Sequence, residues 1–286
     1  MPGINTTGAP NTRDYVLGRG VVYLAQIDVA TGLPDVNGFR DLGNAPEFNI
    51  SVSTEDLKHQ NSRDCIKFTD KRFVISQEVG LSFQLDESRN FENLSDFLAG
   101  STETYDNPHD TTHTDVVISA DVKKGRWYEL RDENGQRVYN LDAAGLVYTI
   151  EKDAGVDVLL VEGTDYEIDE QLGLVRFLPA SVTLADGDQV QWTISAGATV
   201  AQNLDQVNAL QRSEVKGALL FVQDNSGDCG QKIEWRFHQV SLSADGDFAL
   251  IGDEVGVLAF TGVAEINSKV TDTSKVLTVR TYEMQS

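Results

Sequence analysis

The sequence is poor in positive charge. Of its 286 residues, 23 are Lys or Arg and 45 are Asp or Glu, which gives a formal net charge of −22 at pH 7. Proteins that hold nucleic acid need clustered Lys and Arg against the phosphates, and anionic membranes attract the same residues. The charge balance therefore argues against nucleic-acid binding and against docking on a membrane. Residues 1–114, 115–200 and 201–286 carry −8, −9 and −5, so the acidity belongs to folded surface rather than to a tail.

Cysteine and long apolar runs are also scarce. Cys65 and Cys229 are the two cysteines, and we expect free thiols, with a long-range disulfide as an open alternative. No run approaches the roughly 18 apolar residues that a membrane helix needs. Residues 1–10 lack the charged region and the apolar stretch of a signal peptide. We therefore expect a soluble protein that is made in a cytoplasm.

Recognisable catalytic motifs are missing from the sequence. It contains no HExxH, no P-loop and no nucleophile elbow. His109 and His113 are four residues apart, but their polar, Thr-rich surroundings favour a solvated loop over a metal site. Asp-Gly-Asp at 186–188 and at 245–247 lacks the spacing of a calcium loop and favours a tight turn. We expect no catalytic, metal or cofactor site.

The chain does contain the alternation of apolar and polar residues that is typical of β-strands. Residues 47–55 alternate apolar and polar side chains, which indicates one buried face and one wetted face. Residues 73–86 repeat the pattern, so the two segments predict long antiparallel partners. Between them, Lys58 to Asp70 is predicted to form an extended charged loop, which is longer than a hairpin needs.

One helix is predicted at about residues 87–99. Phe91, Leu94 and Phe97 recur at helical spacing and give an apolar stripe that can pack on a sheet. Asp86 or Ser88 would cap its start, and Gly100 would end it. The predicted core contacts of this stripe are Phe48, Ile50, Val52, Leu81 and Phe83.

The same patterns predict how the chain is divided. Residues 1–14 form a polar arm, and residues 15–114 form the first part of the main domain. Residues 115–200, with several short strands and turn signals, form an inserted β domain. Residues 201–286 return to long strands and complete the main domain.

Several stretches resemble the tail tube proteins, or major tail proteins, of phages with long non-contractile tails. They follow one another in order along most of the chain. They are DYVLGRGVVYLAQ at 14–26, DLGNAPEFNISVSTEDLKH at 41–59, NLSDFLAG at 93–100, VEGTDYEID at 161–169, GLVRFLPAS at 173–181, KGALLFVQDNSGDCGQKIEWRF at 216–237 and ADGDFALIGDEVGVLAFTG at 244–262.

The resemblance implies a mainly β structural protein rather than an enzyme. Such subunits form a β-sandwich or barrel with one packing helix, and each contributes two long hairpins to the inner β-barrel of a hexameric ring. Stacked rings make a hollow tube around a tape-measure protein, between tail tip or baseplate and tail terminator proteins. Double-stranded DNA later passes through the tube as unbound cargo. The implied location is the virion, after assembly in the bacterial host cytoplasm.

The resemblance also implies roles for particular residues. Residues 47–55 with 73–86, and 214–223 with 232–242, resemble the two inner hairpins. Glu47, Glu55 and Glu78 are predicted to face the lumen. Lys232 and Arg236 would lie on the same lumen face, or pair with Glu55 or Glu78. The predicted ring-stacking loop carries Lys58, Arg63, Asp64 and Lys67.

Two other function classes remain open on the sequence. One is a phage or surface β-sandwich that uses residues 115–200 to recognise a ligand on a host surface. The other is a carbohydrate-active enzyme that uses Asp and Glu, although abundant carboxylates alone are no evidence of hydrolysis. Microscopy of the purified chain separates these classes from a tail tube subunit, since only a tail tube subunit is expected to form rings or tubes.

Overall fold

The structure is a computed structural model, and it describes residues 18–61, 67–106, 112–141, 147–153, 155, 157–195, 203–224, 232–253 and 255–282. In these ranges the chain is mainly β, as predicted, with one short helix. The elements in chain order are β1 Gly20–Ala25, β2 Arg40–Asp41, β3 Glu47–Asn61, β4 Phe68–Leu85, α1 Phe91–Phe97, β5 Ser101–Asp106, β6 His113–Ser119, β7 Trp127–Glu129, β8 Val147–Asp153, β9 Val158–Leu159, β10 Tyr166–Asp169, β11 Leu174–Phe177, β12 Gln189–Ser195, β13 Asn203–Asn208, β14 Val215–Asp224, β15 Lys232–Ala244, β16 Leu258–Ala264 and β17 Leu277–Tyr282.

The chain forms two compact units. Unit 1 comprises residues 1–102 and 207–286, and unit 2 comprises residues 103–206. The predicted insert, 115–200, lies inside unit 2, but the unit begins earlier. Residues 101–115, whose polar composition predicts a linker, contain β5 and the start of β6. A polar composition concealed these strands, because neither shows a clear apolar alternation.

Unit 1 is built on one antiparallel sheet with the order β2-β1-β14-β15-β16-β4-β3. Strand β17 pairs with the first half of β15, along the same edge that β16 occupies farther on. The sheet is rolled, since strands four places apart in this order touch. The ring of Phe48 on β3 stacks on that of Phe221 on β14 with 4.7 Å between centroids. The inner face of the roll holds the core, in which Phe83, Leu219 and Phe237 are buried. Burial of such side chains is the main stabilising contribution to the unit.

Helix α1 is shorter than predicted. It begins after Asn90, whose side-chain oxygen accepts hydrogen bonds from the backbone N–H groups of Glu92 and Asn93, so neither predicted cap residue is used. It ends at Phe97, and Ala99 takes the left-handed conformation expected of a glycine (φ 46°). Leu94 and Phe97 pack on the core as predicted, whereas Phe91 is 45% exposed because it opens the first turn.

Unit 2 contains two small antiparallel sheets, with the orders β10-β11-β7 and β6-β12-β8-β9. Side chains from both sheets share one core, which is centred on Trp192 and Phe177. The indole N–H of Trp192 donates to the carbonyl oxygen of Arg131, so its polar end is satisfied despite burial. The short strands that the sequence predicts around residues 126–130, 146–150 and 158–196 are present.

The strands β5 and β13 form a two-stranded sheet of their own. In unit 1, just before β5 and just after β13, the backbone N–H of Leu210 donates to the carbonyl of Leu98, and that of Arg212 donates to the carbonyl of Ala99. The chain therefore leaves unit 1 and returns to it at one place. Among the described residues, no helix has the length and apolar character to cross a membrane.

Candidate functional site

The three glutamates predicted to face a lumen lie on one face of the β3–β4 hairpin. Glu47 pairs with Gln84, Glu55 pairs with Ser76, and Glu78 pairs with Ser53. Paired residues of antiparallel strands, and residues two apart on one strand, share a face. All three glutamates are exposed and point away from the core, on the side opposite Phe48 and Phe83. Whether this face lines a lumen stays a prediction.

This polar face continues across the neighbouring strands. Strand β16 pairs with β4 on one side and with β15 on the other, so rows of side chains run over four strands. The side chains in these rows are mostly small and polar. Two complete rows are Asn49–Ser82–Thr261–Ser243 and Ser51–Gly80–Val263–Ser241.

The charge on the polar face is mainly negative. Glu214 and Glu265 join the three hairpin glutamates, and Lys216 lies between them with its amine 3.0 Å from Glu214 and 3.5 Å from Glu265. Hydrogen bonds from Lys216 and from Ser241 lower the pKa of the Glu214 carboxyl, so it is charged at neutral pH. These five carboxylates outnumber Lys216 in this part of the face, which therefore repels polyanions.

The outer half of the β3–β4 hairpin has no neighbouring strand among the described residues. The pairing of β16 with β4 ends at Val79, opposite Ala264, and β3 ends the strand order. Beyond that point both faces of the hairpin are exposed, including large apolar side chains that range from 45% to 70% exposed. These are Val52, Leu57, Phe68, Phe73, Val74 and Ile75.

This exposure corrects one predicted core contact. Val52 follows the apolar alternation of Phe48 and Ile50, which do pack on the core, yet Val52 is 70% exposed. The alternation is real, but no described residue packs over Val52 to cover it. Unpaired strand edges with exposed apolar side chains promote association with other chains. The outer half of the hairpin is therefore a surface suited to contact with another chain.

The predicted ring-stacking loop is largely strand. Strand β3 runs to Asn61 and β4 begins at Phe68, so Lys58 lies in β3 opposite Arg72. Lys67 is exposed immediately before β4. Arg63 and Asp64 lie outside the described residues, as do Cys65 and Cys229. The stacking role of these residues stays a prediction.

An ion pair and a hydrogen bond link the two strands of the outer hairpin. Arg72 Nε lies 2.9 Å from Asp56 Oδ2, and His59 Nδ1 lies 2.6 Å from Asp70 Oδ1. The hydrogen bond with His59 lowers the pKa of the Asp70 carboxyl. Register shifts follow Glu55 and His59, each with one extra residue in β4. Such bulges increase the local twist and interrupt a flat edge.

The second hairpin, β14–β15, is enclosed by other strands. Strand β1 pairs along β14, while β17 and β16 together cover the other side of β15. The predicted pairing of Lys232 or Arg236 with Glu55 or Glu78 is not present among the described residues. Instead, the guanidinium carbon of Arg236 lies 5.8 Å from the centre of the Phe39 ring.

A charged cluster that the sequence did not reveal fastens α1 to the sheet. Asp96 Oδ2 lies 2.7 Å from Arg40, and Asp96 Oδ1 lies 3.0 Å from Arg212. Arg40 also donates to Asn93, whose side chain is buried and donates to the carbonyl of Leu42. Burial raises the pKa of Asp96, and the two arginines oppose that rise. These residues are remote in sequence, so no local spacing signals the cluster.

The described residues contain no group of three or more His, Cys, Asp or Glu arranged to hold a metal ion. His113 is buried in β6 rather than on a solvated loop, and its predicted companion His109 lies outside the described residues. The carboxylates of Asp186 and Asp188 accept backbone N–H groups, as expected of a turn. The turn prediction therefore explains this Asp-Gly-Asp sequence without calcium.

Comparison with known proteins gives one family. Residues 15–276 match the family described as Protein of unknown function UCP028589. A search of curated proteins finds no match. Because the matched range spans well over half of the 286 residues, the chain belongs to the family Protein of unknown function UCP028589.

Proposed function

We propose that the chain is the structural subunit of a phage tail tube, which stacks as hexameric rings into a hollow conduit for double-stranded DNA. The proposal combines the resemblance of the sequence to tail tube proteins with one observation on the molecule. That observation is the β3–β4 hairpin, whose outer half has unpaired edges and exposed apolar side chains. The number of subunits in the ring comes from the resemblance alone.

The free edges support self-assembly. Along its full length, β3 has one partner strand among the described residues, and the outer part of β4 likewise has only β3. Open edges invite pairing with other chains, and closure of a sheet into a ring removes them. In a symmetric ring, every copy offers the same edge to its neighbour, so a single kind of contact completes the assembly.

The polar face supports passage rather than binding of DNA. DNA carries about one negative charge per 1.7 Å of its axis, so a basic wall would retain it by releasing counterions. A wall with Glu47, Glu55, Glu78, Glu214 and Glu265 against Lys216 keeps the DNA at a distance across water. Weak contact with the wall permits fast movement along the tube.

The proposed partners follow from this role. They are further copies of the chain, a tape-measure protein that sets tube length, and tail tip or baseplate and tail terminator proteins at the two ends. The proposed location is the virion, after assembly in the host cytoplasm. The subunit itself catalyses no reaction and requires no cofactor in this proposal.

Electron microscopy of the purified chain tests the proposal. We expect rings or tubes with a central hole, either spontaneously at high concentration or on coexpression with the tape-measure protein of the same phage. Monodisperse monomers under both conditions would overturn it. Saturable binding of a host-surface saccharide by such monomers, lost when residues 103–206 are deleted, would instead support an adhesion module.

A further inference from the structure

A small cleft lies on unit 1, where β15 and β17 meet two loop segments. Its volume is about 250 Å³, which suits a small polyatomic ion rather than a large ligand. Residues 31–33 and 269–272 form its loop side, while Arg236, His238 and Arg280 form its strand side. The feature is unexpected because three of the nine residues that line the cleft, Arg236, Lys269 and Arg280, are cationic in a molecule of net charge −22.

Two of the three cationic side chains already have partners. Arg280 lies 3.3 Å from Asp272 and 3.8 Å from Glu234. The amine of Lys269 donates to the carbonyls of Val29 and Ala30. Arg280 is therefore paired with two carboxylates, and the amine of Lys269 is held by backbone carbonyls.

Arg236 is different. Its guanidinium lies over Phe39, and its Nε–H is buried without a hydrogen-bond partner. No carboxylate among the described residues forms an ion pair with it. A buried donor without a partner is unfavourable, and more so when it is charged. An arginine left in this state inside a cleft is an open site for an anion, because guanidinium matches carboxylate and phosphate oxygens geometrically.

His238 adds a second polar group beside Arg236. Its side chain is 3% exposed, and its Nε2 lies 2.9 Å from Thr278 Oγ1 and 3.6 Å from Asp272 Oδ2. Burial, with the positive charges of Arg236 and Arg280, lowers its pKa, although Asp272 opposes the shift. The imidazole is therefore neutral at neutral pH and leaves Arg236 as the positive charge that lacks a partner.

We propose that this cleft binds an oxyanion on the guanidinium of Arg236. Carboxylate and phosphate share the required oxygen geometry, and two sources can supply it: free inorganic phosphate, or an acidic side chain of a second copy of the chain. Asp272 is the competing anion within the cleft, so its charge limits the affinity. The inference rests on Arg236 and its surroundings, and it does not depend on the proposed function.

Thermal unfolding of the dilute chain in increasing inorganic phosphate, against chloride at equal ionic strength, provides the first test. We expect saturable stabilisation by phosphate. R236Q should weaken the apparent affinity by at least about tenfold, because a charge-assisted hydrogen bond is lost. D272N should strengthen it several-fold, and R126Q, at an exposed arginine of unit 2, should leave it unchanged. R236K, which keeps the charge, should retain part of the response and serves if R236Q folds poorly.

Sedimentation of the concentrated chain distinguishes the two sources. If an acidic side chain of a second copy occupies the cleft, phosphate and R236Q will both weaken self-association. If free phosphate is the ligand, neither phosphate nor R236Q will change self-association, while phosphate will still raise the unfolding temperature of the unsubstituted chain. An unsaturable phosphate response, or an equal response in R236Q and the unsubstituted chain, would overturn the proposal. That result would leave the tail-tube proposal intact, since tubes can form whether or not the cleft is filled.

Discussion

The two long hairpins of unit 1 follow the same alternating pattern but end in different surroundings. Strands β14 and β15 have neighbours on both outer sides, and their apolar residues Leu219 and Phe237 are fully buried. Strands β3 and β4 share a sheet with β16 only as far as Val79, and Ile75 beyond it is 61% exposed. Alternation thus specifies a strand with an apolar face, but it does not specify which chain covers that face.

The largest expected difference concerns folding stability. F237A removes a fully buried ring of the second hairpin and should lower the free energy of unfolding by about 3–5 kcal/mol. F73A removes a ring of the first hairpin that is 45% exposed, and should cost less than about 1 kcal/mol. Urea unfolding of the dilute chain measures both values. Equal losses would show that the first hairpin is covered within the monomer.

The next difference concerns assembly. I75D places a charge on the exposed outer half of the first hairpin, and it should abolish rings and tubes with little change in monomer stability. I251D makes the same change at an isoleucine that is 97% exposed in a loop, and serves as the matched control. Sedimentation velocity and electron microscopy report the outcome. Tubes formed by I75D as readily as by I251D would remove the outer hairpin from the assembly surface.

A smaller effect, on the rate of genome delivery, is expected from changes on the polar face of the first hairpin. Changing Glu47, Glu55 and Glu78 together to Lys should leave tube formation intact but slow genome delivery, because the new amines attract DNA phosphates. The retardation should weaken as salt concentration rises. The measurement is the kinetics of DNA ejection from assembled particles.

A control with equal charge change belongs with that experiment. Glu133, Asp157 and Glu162 are exposed carboxylates of unit 2, and changing them to Lys adds the same six charges. We expect normal ejection from this variant. If both triple variants ejected DNA at the unaltered rate, Glu47, Glu55 and Glu78 would not line the path of the DNA.

The smallest expected effect is on the pH dependence of folding stability, through His238 of the second hairpin. The pKa of His238 is lowered in the folded chain, so below about 6.5 the unfolded chain binds the extra proton and the folded chain does not. Its contribution to stability is therefore complete above that pH and declines as pH falls through it. H238Q should flatten this part of the profile of unfolding free energy against pH. An unchanged profile would show that His238 does not carry the dependence.

Local pattern predicted the pairing of β3 with β4, the buried positions of Leu81 and Phe83, and the face that carries the three glutamates. It failed where a strand lacks a buried face. Residues 57–61 and 68–72 are mostly polar and mostly exposed on both sides, so their strands resemble a loop in sequence. The Asp96 cluster and the Arg236 cleft could not be predicted from the sequence for another reason. They join residues that only the rolled sheet brings together.

The backbone hydrogen bonds from Leu210 to Leu98 and from Arg212 to Ala99 have an evolutionary consequence. Because the polypeptide exits and re-enters unit 1 at adjacent points, residues 103–206 occupy the position of an oversized loop. A single recombination event could delete, replace or lengthen residues 103–206 without any change to the residues of unit 1. The same property makes the junction a natural grafting point, where a foreign domain with neighbouring termini could be displayed once per subunit.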